Sequence, residues 1–373
     1  MKLKVCHVTS AHSRFDVRIF NKEVRSLKSQ FDISIIVGDE FPNQTIDGVE
    51  IISTGFKAKN RLSRMWLSVN HIKKLLIVHN ADIYHFHDPE LLRLVKTMTK
   101  LGKKVVFDSH EDYLLTIGEK KWIPIFLRKI VHSMYKHYEK RVIKLLCGAV
   151  VCYHWTYDRY KTYIDNVQLV FNYPIINNDK LPIIDYESKN IAYAGGISNQ
   201  WMHHNLIDAL DGMKDVTLFL AGNVDSIYGR ELMKKPGWRN VRYFGKISHQ
   251  DVYENVYGKS SVGVALLDYI PQCMKTIGNL SNTKLFEYMY LGLPVIGTDF
   301  QLWKEVIEVE NCGVCVNPHD VAQIREAILK LTSNPTLSKQ MGENGKKAIN
   351  EKYNWNNEFI KLELVYKRIL EDL

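Results

Sequence analysis

Short apolar runs of strand length alternate with amphipathic stretches of helix length, and the alternation passes through the chain twice. The first series reads KVCHVTS, a helix near 16–29, FDISIIVG, a helix near 62–79, DIYHFHD, a helix near 89–101, KKVVFDSH, a helical region over 120–146, and GAVVCY. Strands joined through helices need right-handed crossovers, so such a series predicts a parallel sheet covered on both faces. The series breaks at NYPIINNDKLPIIDYESKN, which is rich in Pro, Asn and Asp and has no periodicity. It restarts with NIAYAGG, a helix near 203–213, VTLFLAG, VRYFG, a helix near 249–258, SVGVALL, a further helix and PVIGT. At about 100 to 200 residues per domain, a chain of 373 residues has room for two full cores. The expected class is α/β: a Rossmann-like domain over 1–172, a linker over 173–190, and a second Rossmann-like domain over 191–350 that faces the first across a cleft. A C-terminal helix within 351–373 is expected to pack back onto the first domain.

The most informative segment is GNLSNTKLFEYMYLGLPVIGTDF, residues 278–300. Ser281 or Asn282 suits an N-cap, and Leu285, Phe286 and Met289 share a helical face. Gly292 fits the position just past the C-terminus, and Pro294 forbids continuation. The apolar residues from Leu293 to Ile296 then read as a buried strand. Glu287 therefore stands one turn into a helix whose N-terminus opens at a sheet edge, where free N–H groups suit a phosphate.

Charge narrows the function classes. Residues 1–172 carry 28 Lys and Arg against 17 Asp and Glu, leaving 22 against 24 for the rest, so the basic excess belongs to the first half. No basic stripe interleaves with stacking aromatics, which argues against nucleic acid, whereas an anionic membrane surface or an anionic lipid-linked substrate fits. Residues 120–146 hold eight Lys and Arg, one Glu, and a stripe at 123, 127, 130, 134, 138, 142 and 145. That stripe can pack in the core or rest on anionic lipid. Cys312-Gly-Val-Cys315 lacks a second ligand pair and the histidines include no HExxH, so no structural metal is expected. No apolar run approaches the roughly 18 residues of a membrane span, and the N-terminal apolar stretch is too short for a signal peptide; a cytoplasmic location is expected.

SNTKLFEYMYLGLPVIGTD resembles the signature of family 4 of the glycosyltransferases, retaining enzymes of the GT-B fold. DVRIFNKEVRSL, HFHDPELL and KKVVFDSHED match that family's further stretches in the same order, so the resemblance spans nearly the whole chain. It implies that Glu287 accepts hydrogen bonds from the ribose of a nucleotide-sugar. Asn282, Thr283 and Lys284 would hold the diphosphate, Gly195 and Gly196 would allow close backbone approach, and Lys246 and Ile247 would meet the base. It also places His110 beside the transferred sugar and acceptor, with Glu111, Asp112, His87 and Asp88 near the acceptor or organising its loop. Arg18 is assigned to the diphosphate or to a structural ion pair. Two positions depart from the family: Asn279 replaces a glutamate that contacts the donor sugar, though with Gly278 and Leu280 it could still offer backbone N–H groups and its amide to sugar hydroxyls, and Trp201 or a close neighbour stands where a cation is customary.

The expected activity is transfer, with retention and without metal or other cofactor, of a sugar from a nucleotide-diphosphate donor to a hydroxyl of a lipid-linked saccharide. The setting would be bacterial surface-polysaccharide assembly, peripheral on the cytoplasmic face of the inner membrane. The alternative is a protein of the same fold with a degraded donor site, acting as a non-catalytic partner of an active transferase.

Overall fold

The computed structural model describes residues 2–118, 120, 123–177 and 181–371. Met1, Glu119, Lys121 and Trp122 at the start of the basic segment, 178–180 of the linker, and 372–373 at the C-terminus lie outside the described residues. The chain divides into two compact units, one of Met1–Asn172 with Trp355–Leu373 and one of Tyr173–Asn354.

The first unit is built on eight strands: β1 (Lys4–Thr9), β2 (Asp32–Val37), β3 (Gln44–Ile46), β4 (Val49–Ser53), β5 (Ile83–Phe86), β6 (Lys104–Ser109), β7 (Gly148–Val151) and β8 (Val167–Leu169). Their order is β3-β4-β2-β1-β5-β6-β7-β8, parallel throughout except for the β3–β4 hairpin. That hairpin turns on Asp47 and Gly48, both at positive φ, which is the Asp-Gly turn that matches strand twist. The sequence reading passed over it, although the dipeptide signals it.

Strand alternation sends Cys6, Val8, Tyr84, Phe86, Val105 and Phe107 into one apolar core with Val142 and Ile143. On the other face the same strands present His7, His85 and Asp108, all fully buried. The π-helical segment Val17–Val24 and the helix Trp355–Glu371 contact each other in this unit and supply Glu23 and Tyr366 to that face.

The basic helix, for which the sequence left core packing and a lipid-facing stripe both open, divides between the two kinds of environment. In the helix Ile125–Ile143 the C-terminal end packs inward, with Tyr138 against the core and Val142 and Ile143 buried. Its N-terminal half does not, since Ile125, Phe126, Ile130 and Met134 are 79%, 78%, 56% and 68% exposed. The apolar stripe is thus only half a core stripe.

The second unit carries β9 (Asn190–Ala194), β10 (Thr217–Ala221), β11 (Val241–Gly245), β12 (Val262–Ala265), β13 (Val295–Thr298) and β14 (Gly313–Val316), ordered β11-β10-β9-β12-β13-β14 and all parallel. The strand order reverses between β9 and β12, so the crevice at their carboxyl ends is where such sheets take ligands. The helix Thr283–Leu291 is capped by the Asn282 side chain, which accepts from Lys284 N–H, and it ends at Gly292 with φ 87°. Cys312 precedes β14 and Cys315 lies within it, and both are free thiols.

Candidate functional site

In the second unit, β9 runs into Gly195 at φ 146°, a conformation that favours glycine. A Cβ there would fall 2.5 Å from Lys284 Nζ, so the missing side chain is what admits the lysine. The ammonium rests over the Trp201 ring at 4.7 Å and the Tyr193 ring at 5.4 Å. Among the described residues no carboxylate forms an ion pair with it. Burial pushes its pKa down while Glu287 opposes the shift. An ammonium desolvated over aromatic faces and lacking an anion is poised to take one from solvent.

One turn further along the helix, Glu287 accepts from His249 Nε2 at 3.0 Å and from Tyr257 Oη at 3.3 Å. Its side chain is 22% exposed, which leaves it accessible to hydroxyl donors. The sequence reading missed His249 and Tyr257, because residues 38 and 30 positions away leave no local pattern. Trp201, read as a lost cation, is instead the platform for one. Thr283 is exposed in the first turn, and Gly196 O accepts from Tyr193 Oη. Lys246 is exposed and Ile247 half-buried just past the end of β11. Asn279 is committed locally: its Oδ1 accepts from Ser281 N–H, its Nδ2 lies 3.4 Å from Cys273 Sγ, and its carbonyl accepts from Trp303 Nε1. The structure therefore gathers Gly195, Lys284 and Trp201 at one point and turns the Asn279 amide to holding its own loop.

In the first unit, His110 follows β6, its Nε2 lying 3.0 Å from Asp108 Oδ2 and 3.2 Å from His87 Nδ1. Arg18 is corrected out of the diphosphate set. Its Nε and Nη2 donate to Asp108, its Nη1 donates to Val170 O, and Nε lies 3.1 Å from Glu23, leaving a 5% exposed guanidinium with nothing to offer a ligand. Burial disfavours the Asp108 carboxylate, but Arg18, His110 and His87 outweigh it and hold its pKa well below the usual range. Asp112 caps the helix Tyr113–Ile117 and pairs with Arg159, so it too is structural. Asp88 accepts from Thr9 Oγ1 and Ser10 N–H, organising the loop after β1. Asp16 caps the segment that Arg18 begins to fill. No helix among the described residues is long and apolar enough to cross a membrane.

Residues 177–348 match the family described as Glycosyl transferases group 1. No curated protein sequence matches the chain. Among solved structures, sucrose-phosphate synthase from Thermosynechococcus elongatus superposes with a TM-score of 0.76 at 13% identity, covering 100% of both chains. WaaG, a glycosyltransferase involved in lipopolysaccharide biosynthesis, gives 0.69 at 16%, covering 97% of this chain and 99% of its own. HepE of Anabaena, solved with UDP-glucose, gives 0.68 at 12% over 100% of both. At these identities the likeness establishes the fold, GT-B with two Rossmann-like domains.

Proposed function

We propose, from the match of residues 177–348 to the glycosyl transferases group 1, that the chain moves a sugar, with retention, from a nucleoside-diphosphate donor to a hydroxyl of a lipid-linked saccharide. The observation that carries the donor assignment is Lys284 held without a carboxylate over Trp201 and beside Gly195, one helical turn from Glu287. Glu287 accepts two ribose hydroxyls, and Lys284 with the helix N-terminus takes the diphosphate. This donor chemistry needs no metal from the protein. The leaving diphosphate, stabilised by the ammonium, assists removal of the acceptor proton. His110, fixed by Asp108, orients the acceptor hydroxyl.

Calorimetry with UDP-, GDP- and ADP-sugars tests this reading. One nucleotide is expected to bind, and Glu287→Ala to weaken it about a hundredfold or more, since hydrogen bonds to a charged group contribute roughly 1.5–3 kcal/mol each. No binding of any nucleotide at millimolar concentration removes the enzyme reading in favour of a non-catalytic partner.

A specific observation favours a peripheral membrane position on the cytoplasmic face: Ile125, Phe126, Ile130 and Met134 stand exposed on a helix rich in Lys and Arg. Such a surface gains from anionic lipid, in keeping with a role in surface-polysaccharide assembly. Equal sedimentation with neutral and anionic vesicles would remove this part of the proposal.

A further inference from the structure

The polar face of the first sheet contains more ligand chemistry than the proposed reaction uses. His7 of β1 lies directly across from His85 of β5, and His87 follows two residues later at the end of that strand. Glu23 comes in from the segment Val17–Val24, and all four side chains are buried. One ligand atom from each lies within 4.8 Å of every other. Central parallel strands are normally apolar on both faces, so three imidazoles and a carboxylate here need a physical reason.

Hydrogen bonding within the protein does not supply one. His7 Nδ1 and His87 Nε2 are 2.8 Å apart, so one proton can serve that pair. Among the described residues His85 Nε2 has no hydrogen-bond partner, and Glu23 has at most the neighbouring Asp108 carboxylate, which it can meet only by carrying a proton. Arg18 Nε is 3.1 Å from Glu23 Oε1, but that N–H is donated to Asp108. Unmatched buried polar atoms cost about 1–3 kcal/mol each.

We propose that His7, Glu23, His85 and His87 bind one divalent transition-metal ion of the zinc class, as a closed structural site inside the first unit. Three neutral imidazoles and one carboxylate form a tetrahedral set of the kind zinc takes when no position is left for water. The surrounding groups complete the pattern seen around bound metals, in which each ligand is fixed from behind. His85 Nδ1 meets Tyr366 Oη at 2.8 Å, His87 Nδ1 faces Asp108 Oδ2 at 3.5 Å, and Glu23 Oε1 faces Arg18. Those contacts leave His85 Nε2, His87 Nε2 and Glu23 Oε2 as the ligating atoms, with His7 Nδ1 as the fourth. The separations of Glu23 Oε2 from His7 Nδ1 and His87 Nε2 are 3.9 and 4.0 Å. Metal–nitrogen bonds of about 2.0–2.1 Å put tetrahedral ligands roughly 3.4 Å apart, so the two Glu23 contacts close by about half an ångström and the 2.8 Å contact between His7 Nδ1 and His87 Nε2 opens by about as much. The metal would tie β1 and β5 to the segment Val17–Val24, and through Tyr366 to the C-terminal helix.

The test uses the full chain with an affinity tag free of histidine, dialysed against EDTA to strip surface metal, then analysed by elemental mass spectrometry. About one zinc per chain is expected, released only on unfolding in guanidinium. His85→Gln is expected to lower the content to less than about a tenth of that. If that variant does not fold, the wild-type chain refolded with Co2+ is expected to show the visible absorption of a tetrahedral cobalt site and a higher melting temperature than chain refolded in EDTA. A metal-free native chain whose refolding responds to neither Zn2+ nor Co2+ overturns the proposal, and so does a folded His85→Gln variant that retains full metal.

Discussion

The two units share one plan at their centres, a parallel sheet whose strand order reverses beside the first strand of each. Their central strands nevertheless carry opposite chemistry. In the first, His7, His85 and Asp108 are buried in the sheet, and Arg18 and Glu23 close over them from the segment Val17–Val24. In the second, β9 runs into Gly195 and Gly196, and the Lys284 ammonium stands over aromatic rings with no carboxylate among the described residues paired to it. A sheet edge can thus be spent on internal charge pairing or left open for a ligand's charge. The cation decides which: Arg18 is neutralised from within, Lys284 is not.

The largest effect should come from breaking the closed arrangement. Asp108→Ala leaves the Arg18 guanidinium buried and without its main partner, and removing one member of a buried pair costs about 3–5 kcal/mol. Urea unfolding followed by a probe in the first unit should show that loss, while nucleotide binding by the second unit persists below the onset of unfolding. A loss of under about 1 kcal/mol would mean that Arg18 finds other support and that the contrast between the units is overstated.

This contrast was only half legible in the sequence. The strand and helix alternation and the ends of the helix Thr283–Leu291 are local, written in Asn282, Gly292 and Pro294, and they could be read directly. Glu287 and Lys284 stood out because they share that helix. Arg18 did not, since its partner Asp108 lies 90 residues away and only the sheet brings them together. The buried histidines were invisible to motif spacing for the same reason: a metal motif on one helix has a fixed interval, whereas His7, Glu23 and His85 come from three separate elements. The sequence left the helix Ile125–Ile143 open between core packing and a lipid-facing surface, because periodicity reports a face and not what covers it.

A smaller effect tests the open arrangement. Gly195→Ala puts a methyl group 2.5 Å from Lys284 Nζ at a φ of 146°, forcing both backbone and lysine to shift. The expected destabilisation is about 1–3 kcal/mol, the range for a side chain held in a sparsely populated region. Donor affinity should fall about tenfold, because the displaced ammonium no longer meets the diphosphate. If stability falls but nucleotide-sugar affinity does not, Lys284 is a packing residue and the second unit has some other anion contact.

The smallest expected effect, of a few fold, concerns the pairing of His249 with Glu287 in the second unit. The hydrogen bond to Glu287 raises the pKa of His249 above 6.5, with burial working against it. A raised folded-state value means that this pair stabilises the protein fully below pH 6.5 and loses that contribution as pH rises through the raised value. Ribose hydroxyls that bind Glu287 must compete with His249, so nucleotide-sugar affinity should increase as the imidazolium loses its proton. A nucleotide-sugar is the right probe because its diphosphate is a diester and has no ionisation in that range. Calorimetry across the range should show tighter binding at the alkaline end for the wild type and a flat profile for His249→Ala. Binding that tightens toward acid, or a slope that survives the substitution, would mean that Glu287 is not where the ribose sits.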